Sequence, residues 1–169
     1  VYADNPNGST FVVRFGPALD DVDWVTRIGL PQSGIDISPT AFLVSDCDEM
    51  YISGWGGVTN NNNSSTAGQS TTSGMPTTVD AYQIGTDGSD FWLGVLAPEA
   101  ADLTYGTFFG GTFSNEHVDG GTSRFDKNGT VYQAVCAGCG GWDDFPTTAG
   151  AWSGNNASSN CNLGVFKFN

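Results

Sequence analysis

"FVVRFGPALDDVDWVTRIG" (residues 11–29) aligns without a gap on "WLGVLAPEAADLTYGTFFG" (92–110), at an offset of 81 residues. Pro17 falls on Pro98, Asp21 on Asp102, Trp24 on Tyr105, Thr26 on Thr107 and Gly29 on Gly110. The same register goes on to place Val44 on Phe125 and Tyr51 on Tyr132. A register held from residue 11 to residue 51 marks an internal repeat, and a repeat constrains the fold more than any single motif does.

Beyond Tyr51 the copies differ in length and then rejoin. "GWGG" (54–57) corresponds to "GCGG" (138–141), and "MPTTVDAYQ" (75–83) to "FPTTAGAWS" (145–153). "LGVL" (93–96) returns as "LGVF" (163–166), now at an offset of 70. Between these anchors one copy carries "NNNNSSTAGQSTTSG" (60–74), a tract too polar for a core and expected to be a loop.

Each unit reads as four short strands. In the complete copy these are Ala41–Val44, Met50–Ser53, Phe91–Leu96 and Leu103–Phe109. Alternation is visible in "TFVVRF" and "LTYGTFF", and helical periodicity is nowhere sustained. Lys127-Asn128-Gly129 is a hairpin turn signal, and Pro17 and Pro98 mark places where a strand must stop. The 24 glycines and 21 aromatic residues (Phe 11, Trp 5, Tyr 5) fit an all-β chain.

Four antiparallel strands per repeat, with a long loop between the second and third, is the pattern of a β-propeller blade. A β-solenoid is the alternative, and would have shorter, more uniform rungs. The expected organisation is a lead-in (1–10), a half blade (11–29), a full blade (41–109) and a partial blade (122–168). Such a set cannot close a ring, which takes at least four blades. The chain is therefore expected to be a segment of a larger protein, with open strand edges that need a partner.

The net charge is −13, and the five basic residues are scattered. A backbone-neutralising basic stripe is missing, which argues against nucleic acid and anionic membrane surfaces as partners. No apolar run approaches the ~18 residues of a membrane helix. "VYADNPNGST" (1–10) has neither the basic start nor the apolar run of a signal peptide. Four cysteines, few lysines and abundant Asn, Thr and Gly suit an exported protein.

Cys136 and Cys139 form a Cys-x-x-Cys pair, and Cys161 stands near the start of the following strand. A disulfide from Cys161 to Cys136 or to Cys139 would clamp the base of the intervening loop, contributing about 3 kcal/mol through loop closure. The alternative is a zinc site built from His117, Cys136, Cys139 and Cys161. Redox catalysis wants a thiolate at a helix N-terminus, and Gly140-Gly141 opens no helix. Cys47, in a turn at the opposite edge, is expected to lack a partner here.

Asp87 and Asp90 in "DGSD" could offer oxygens to calcium, although the full twelve-residue EF-hand loop is missing. A nucleophile elbow, a P-loop and a dinucleotide fingerprint are also missing. Trp55, Trp142 and Trp152 lie in or beside loops and are candidates for stacking on a sugar or for covering the loop's own core.

"DFPTTAGAW", "GTVYQAV", "NLGVFKF" and "LTYGTFFGG" resemble the repeats of bacterial β-propellers. The longer string "HVDGGTSRFDKNGTVYQAVCAGCGG" resembles large exported surface proteins of Bacteroidota, of the type associated with type IX secretion and gliding motility. The resemblance covers nearly the whole chain from Phe11 onward and departs from the simple repeat at Cys136–Cys139 and at the 60–74 loop. It implies a propeller fold and an extracellular or cell-surface destination. Activity does not follow from it, because propellers host many functions. The expected role is a non-enzymatic structural or adhesive module, displaying loops to neighbouring parts of its parent chain, to other subunits or to surface glycans. A carbohydrate-binding or polysaccharide-degrading propeller, and a subunit of an extracellular assembly, are the alternatives. No cofactor is expected unless zinc or calcium occupies one of the sets above.

Overall fold

The structure is a computed structural model that describes residues 2, 5–31, 35–57, 59, 70–118 and 123–169. Most of the polar 60–74 tract, and Gly120–Thr122, lie outside the described residues. The described residues form nine strands. They are β1 (Thr10–Phe15), β2 (Val22–Ile28), β3 (Ser38–Val44), β4 (Met50–Trp55), β5 (Phe91–Leu96), β6 (Leu103–Phe109), β7 (Ser123–Phe125), β8 (Val131–Ala137) and β9 (Asn162–Phe168). They make three antiparallel sheets, ordered β1-β2, β3-β4-β5-β6 and β7-β8-β9. The chain is all-β, and none of the three sheets closes on itself.

The repeat is reproduced turn for turn. β2 and β6 begin and end at the same positions of their copies. Gly16 N–H donates to Asp21 O, and Ala97 N–H, the matching residue, donates to Asp102 O, each at 2.9 Å. Leu19 and its counterpart Ala100 both adopt positive φ, at 60° and 49°. The strand pairing slips at Arg14/Phe15 in one copy and at the matching Val95/Leu96 in the other. The β3–β4 and β7–β8 hairpins match as well. Ser45 N–H bonds Glu49 O and Asp126 N–H bonds Thr130 O, with Asp48 and Gly129 left-handed in the two turns.

Two strands of the complete copy extend past their expected ends. β3 starts at Ser38, because Pro39 sits beside a bulge in an edge strand, where its missing N–H is tolerated. β4 continues through Gly54 to Trp55. A Cβ on Gly54 would press into Ile37 and the Ser38 carbonyl, so this glycine allows close approach rather than ending the strand.

Packing explains why alternation is plain in some strands and lost in others. One core gathers Ile28, Ile52, Trp92, Leu96, Leu103 and Phe108, with Val12 and Trp24 of the first sheet against it. A second gathers Trp55, Phe91, Phe109, Val131, Val135 and Phe166. The middle sheet contributes to both, so β5, "FWLGVL", is apolar on both faces and reads as a continuous run. β9 lies at one end and alternates buried with exposed. Trp92 and Phe91 are fully buried, and each contributes about 1.5–3 kcal/mol by leaving water. The Trp92 ring lies over Gly94, where a Cβ would overlap it, and its indole N–H donates to Pro76 O at 2.8 Å.

Candidate functional site

A groove of about 910 Å³ lies beside β9. Leu163 and Val165 line its strand side, and Thr148, Ala151 and Trp152 line the other. The second wall is built by the loop between β8 and β9. Partly buried Phe145 anchors it against the second core, edge-on to Phe109 at 5.5 Å. Gly150, at φ 85°, lets the chain turn so that Ala151 N–H reaches Thr148 O at 3.0 Å. The Asn156 side-chain amide is shared among the carbonyls of Gly138, Trp142 and Asn160 at 2.9–3.0 Å. A Cys139–Cys161 disulfide closes the base.

The disulfide resolves the choice the sequence left open. β8 runs through Cys136 to Ala137, and Cys136 pairs in register with Leu163. Its backbone also exchanges hydrogen bonds with His117. Gly138, at φ 64°, then turns the chain and brings Cys139 to Cys161. His117, Cys139 and Cys161 place ligand atoms within 4.8 Å of one another, and Cys139 Sγ lies 3.6 Å from His117 Nδ1. These are three of the four residues considered for zinc, but sulfurs bonded to each other present no thiolate to a metal. Cys136 is not part of that group. Cys47 is exposed in the β3–β4 turn.

The three tryptophans fall in three environments. Trp55 ends β4 as a buried core residue, its ring 5.9 Å from His117. Trp142 is half-exposed and packs on Phe113 at 5.3 Å. Trp152 is fully exposed on the rim of the groove.

A second cluster is acidic and buried. Asp90 and Glu116, both inaccessible to solvent, meet over Gly110, where a Cβ would overlap the Asp90 carboxylate. Burial, reinforced by the charges of Asp87 and Glu116, pushes the Asp90 carboxyl up to about 7. Burial raises Glu116 and Asp87 as well. Gln83 Nε2 donates to Asp90 Oδ2 at 3.3 Å, while Asp90 Oδ1 has no hydrogen-bond partner among the described residues. Glu116 accepts from Ser114 Oγ and from Gly111 N–H.

The other copy shows where this pair comes from. At the Asp90 position it has Ser9, whose hydroxyl donates to the buried Asp36. Asp36 in turn lies over Gly29, the counterpart of Gly110. One structural device thus has a hydroxyl–carboxylate pair in the first copy and two carboxyls in the second. Asp87 instead accepts from Ser89 N–H at 2.8 Å, in a turn. Among the described residues no three carboxylates converge as a group, whereas calcium takes six to eight oxygens. Glu116, Gln83 and Asn156 carry these arrangements and had no motif to announce them. Only the Gly29/Gly110 match pointed toward the acidic pair.

Comparison with family models, with curated proteins and with solved structures finds no match.

Proposed function

We propose that the chain is a non-enzymatic structural or adhesive module of a secreted or surface-attached bacterial protein, its three sheets being successive blades of a propeller. The observation that carries this reading is the state of the two outer faces. Leu163 and Val165 are 73% and 71% exposed, yet they stand where the middle sheet has Leu93, 5% exposed, and the partly buried Val95. At the other end Phe11 and Phe15 are 62% and 48% exposed, where the middle sheet has the fully buried Trp92 and Leu96. Positions that make a core inside the stack face outward at both ends. Further units of the same repeat, or neighbouring subunits, would cover them. The disulfide favours an oxidising, extracellular setting.

Carbohydrate binding is a second reading. It rests on Trp152, whose ring is free at the groove rim.

Labelling of intact cells with an antibody against the 169-residue chain tests the assignment, alongside a reducing-sugar assay on a polysaccharide panel. Surface signal without turnover is expected. Turnover lost in an Asp90→Asn variant would overturn the non-enzymatic reading.

A further inference from the structure

The Cys139–Cys161 disulfide lies against the single histidine of the sequence, His117. Each of the three residues is held in place by bonds other than the disulfide. The His117 backbone N–H donates to Cys136 O at 3.4 Å, and Cys136 N–H donates to His117 O at 2.9 Å. β8 and β9 stay paired as far as Ala137 and Asn162. Just beyond, Gly140 N–H donates to Asn160 Oδ1 at 3.1 Å. The Asn156 side-chain amide donates to Gly138 O and to Asn160 O, each at 2.9 Å. These bonds tie the neighbours of Cys139 to the neighbours of Cys161, so the two cysteines stay adjacent when the sulfurs part.

The spacing around the histidine is that of a tetrahedral metal site. Zinc takes sulfur at about 2.3 Å and nitrogen at about 2.0–2.1 Å, which at the tetrahedral angle sets sulfur and nitrogen about 3.6 Å apart. Cys139 Sγ lies 3.6 Å from His117 Nδ1. The ring is buried, and Nδ1–H donates to Asn115 O at 3.1 Å. Zinc on Nδ1 would move that proton to Nε2 and leave the imidazole neutral. The sulfurs, bonded to each other here, are the pair that must separate.

We propose that reduction of the Cys139–Cys161 disulfide turns this point into a zinc site, with His117, Cys139 and Cys161 as ligands and water in the fourth position. The reductant is a dithiol. Its thiolate attacks the bridge, for which the partly exposed Cys161 gives access. Two electrons and two protons pass to the bridge, giving two cysteine thiols, and the reductant becomes a disulfide. Zinc then binds both sulfurs as thiolates and releases the two thiol protons. Two thiolates and an imidazole suit a borderline-soft cation such as zinc and not calcium or magnesium. Cys136 pairs with Leu163 and stays outside the ligand set. The base of the β8–β9 loop is thus clamped in both states, by a covalent bond when oxidised and by a metal when reduced.

The test uses the whole 169-residue chain with Cys47→Ser, because the exposed Cys47 thiol could bind metal by itself. The chain is reduced with a dithiol, desalted without air and titrated with zinc ion, and with cobalt ion as a spectroscopic substitute. Uptake of one equivalent is expected, with the absorption of a tetrahedral cobalt–thiolate centre, and the oxidised chain should take up none at this point. His117→Ala and Cys161→Ser should each weaken binding at least about tenfold, while Cys136→Ser should leave it unchanged. Lack of uptake by the reduced chain, or equal affinity in the His117→Ala and Cys161→Ser variants, would overturn the proposal. A loss in Cys136→Ser would overturn this ligand set. Amide protection of β7–β9 is followed throughout, and a reduced chain that loses it without regaining it on zinc addition would also overturn the site.

Discussion

Cys139 is bonded to Cys161 across the base of the loop that forms the far wall of the groove, 22 residues apart in sequence. Closing a loop of that length removes conformational freedom from the unfolded chain, worth about 3 kcal/mol. Cys161→Ser should lower the unfolding free energy by about 2–4 kcal/mol, read from urea denaturation. Cys136→Ser should leave the bond intact in a non-reducing peptide map. A Cys136–Cys161 peptide in that map would contradict the connectivity.

Stability should fall as pH rises through the acid-to-neutral range. Asp90 keeps its proton to about pH 7 in the native chain, against an ordinary value of 3.8. Between those values the native state binds more protons than the unfolded state, so unfolding becomes easier with rising pH. Glu116 and Asp87 act in the same direction. Each unit of such a shift corresponds to about 1.4 kcal/mol. Urea unfolding at pH 5 and pH 8 checks this. Asp90→Asn should flatten the difference and make the pH 8 protein more stable than the unsubstituted chain. An unchanged slope would show that this carboxyl does not control it.

The repeat made the strands legible and left the sites obscure, for a physical reason. Strand positions follow from local signals, such as Pro98, Asp102 and Gly110, that recur at fixed spacing. β6 and β2 could be placed from those alone. The pairing of Asp90 with Glu116 depends on two loops meeting over a glycine, 26 positions apart in sequence. The choice of Cys139 over Cys136 depends on where β8 ends, and Gly138 decides that by turning the chain one residue past Ala137. Trp55 looked like a loop residue because Gly54 and Gly56 flank it. It is core because those glycines let β4 run close beside β3 and the Asp36 carbonyl.

Phe109 links the core to the groove. Its ring lies 4.5 Å from Phe166 and 5.5 Å from Phe145, centroid to centroid. Phe109→Ala should cost about 3–5 kcal/mol. It should also loosen the wall that Phe145 anchors, seen as faster exchange at Thr148–Ser153. Trp92→Phe keeps most of the buried area but loses the bond to Pro76 O, at a cost of about 1 kcal/mol. Equal losses for the two variants in chemical denaturation would argue against this division of roles.

Amide hydrogen exchange along β5 and β9 of the 169-residue chain tests the central claim, that the third sheet repeats the middle one, with β9 at the position of β5 and its outer edge open. β5 is flanked by β4 and β6, so its amides should all exchange slowly. Among the described residues β9 is flanked by β8 alone, so protection between Leu163 and Lys167 should alternate, with every second amide exchanging fast. Uniform protection along β9 in a monomer would mean that its outer edge is already paired, and would contradict the account.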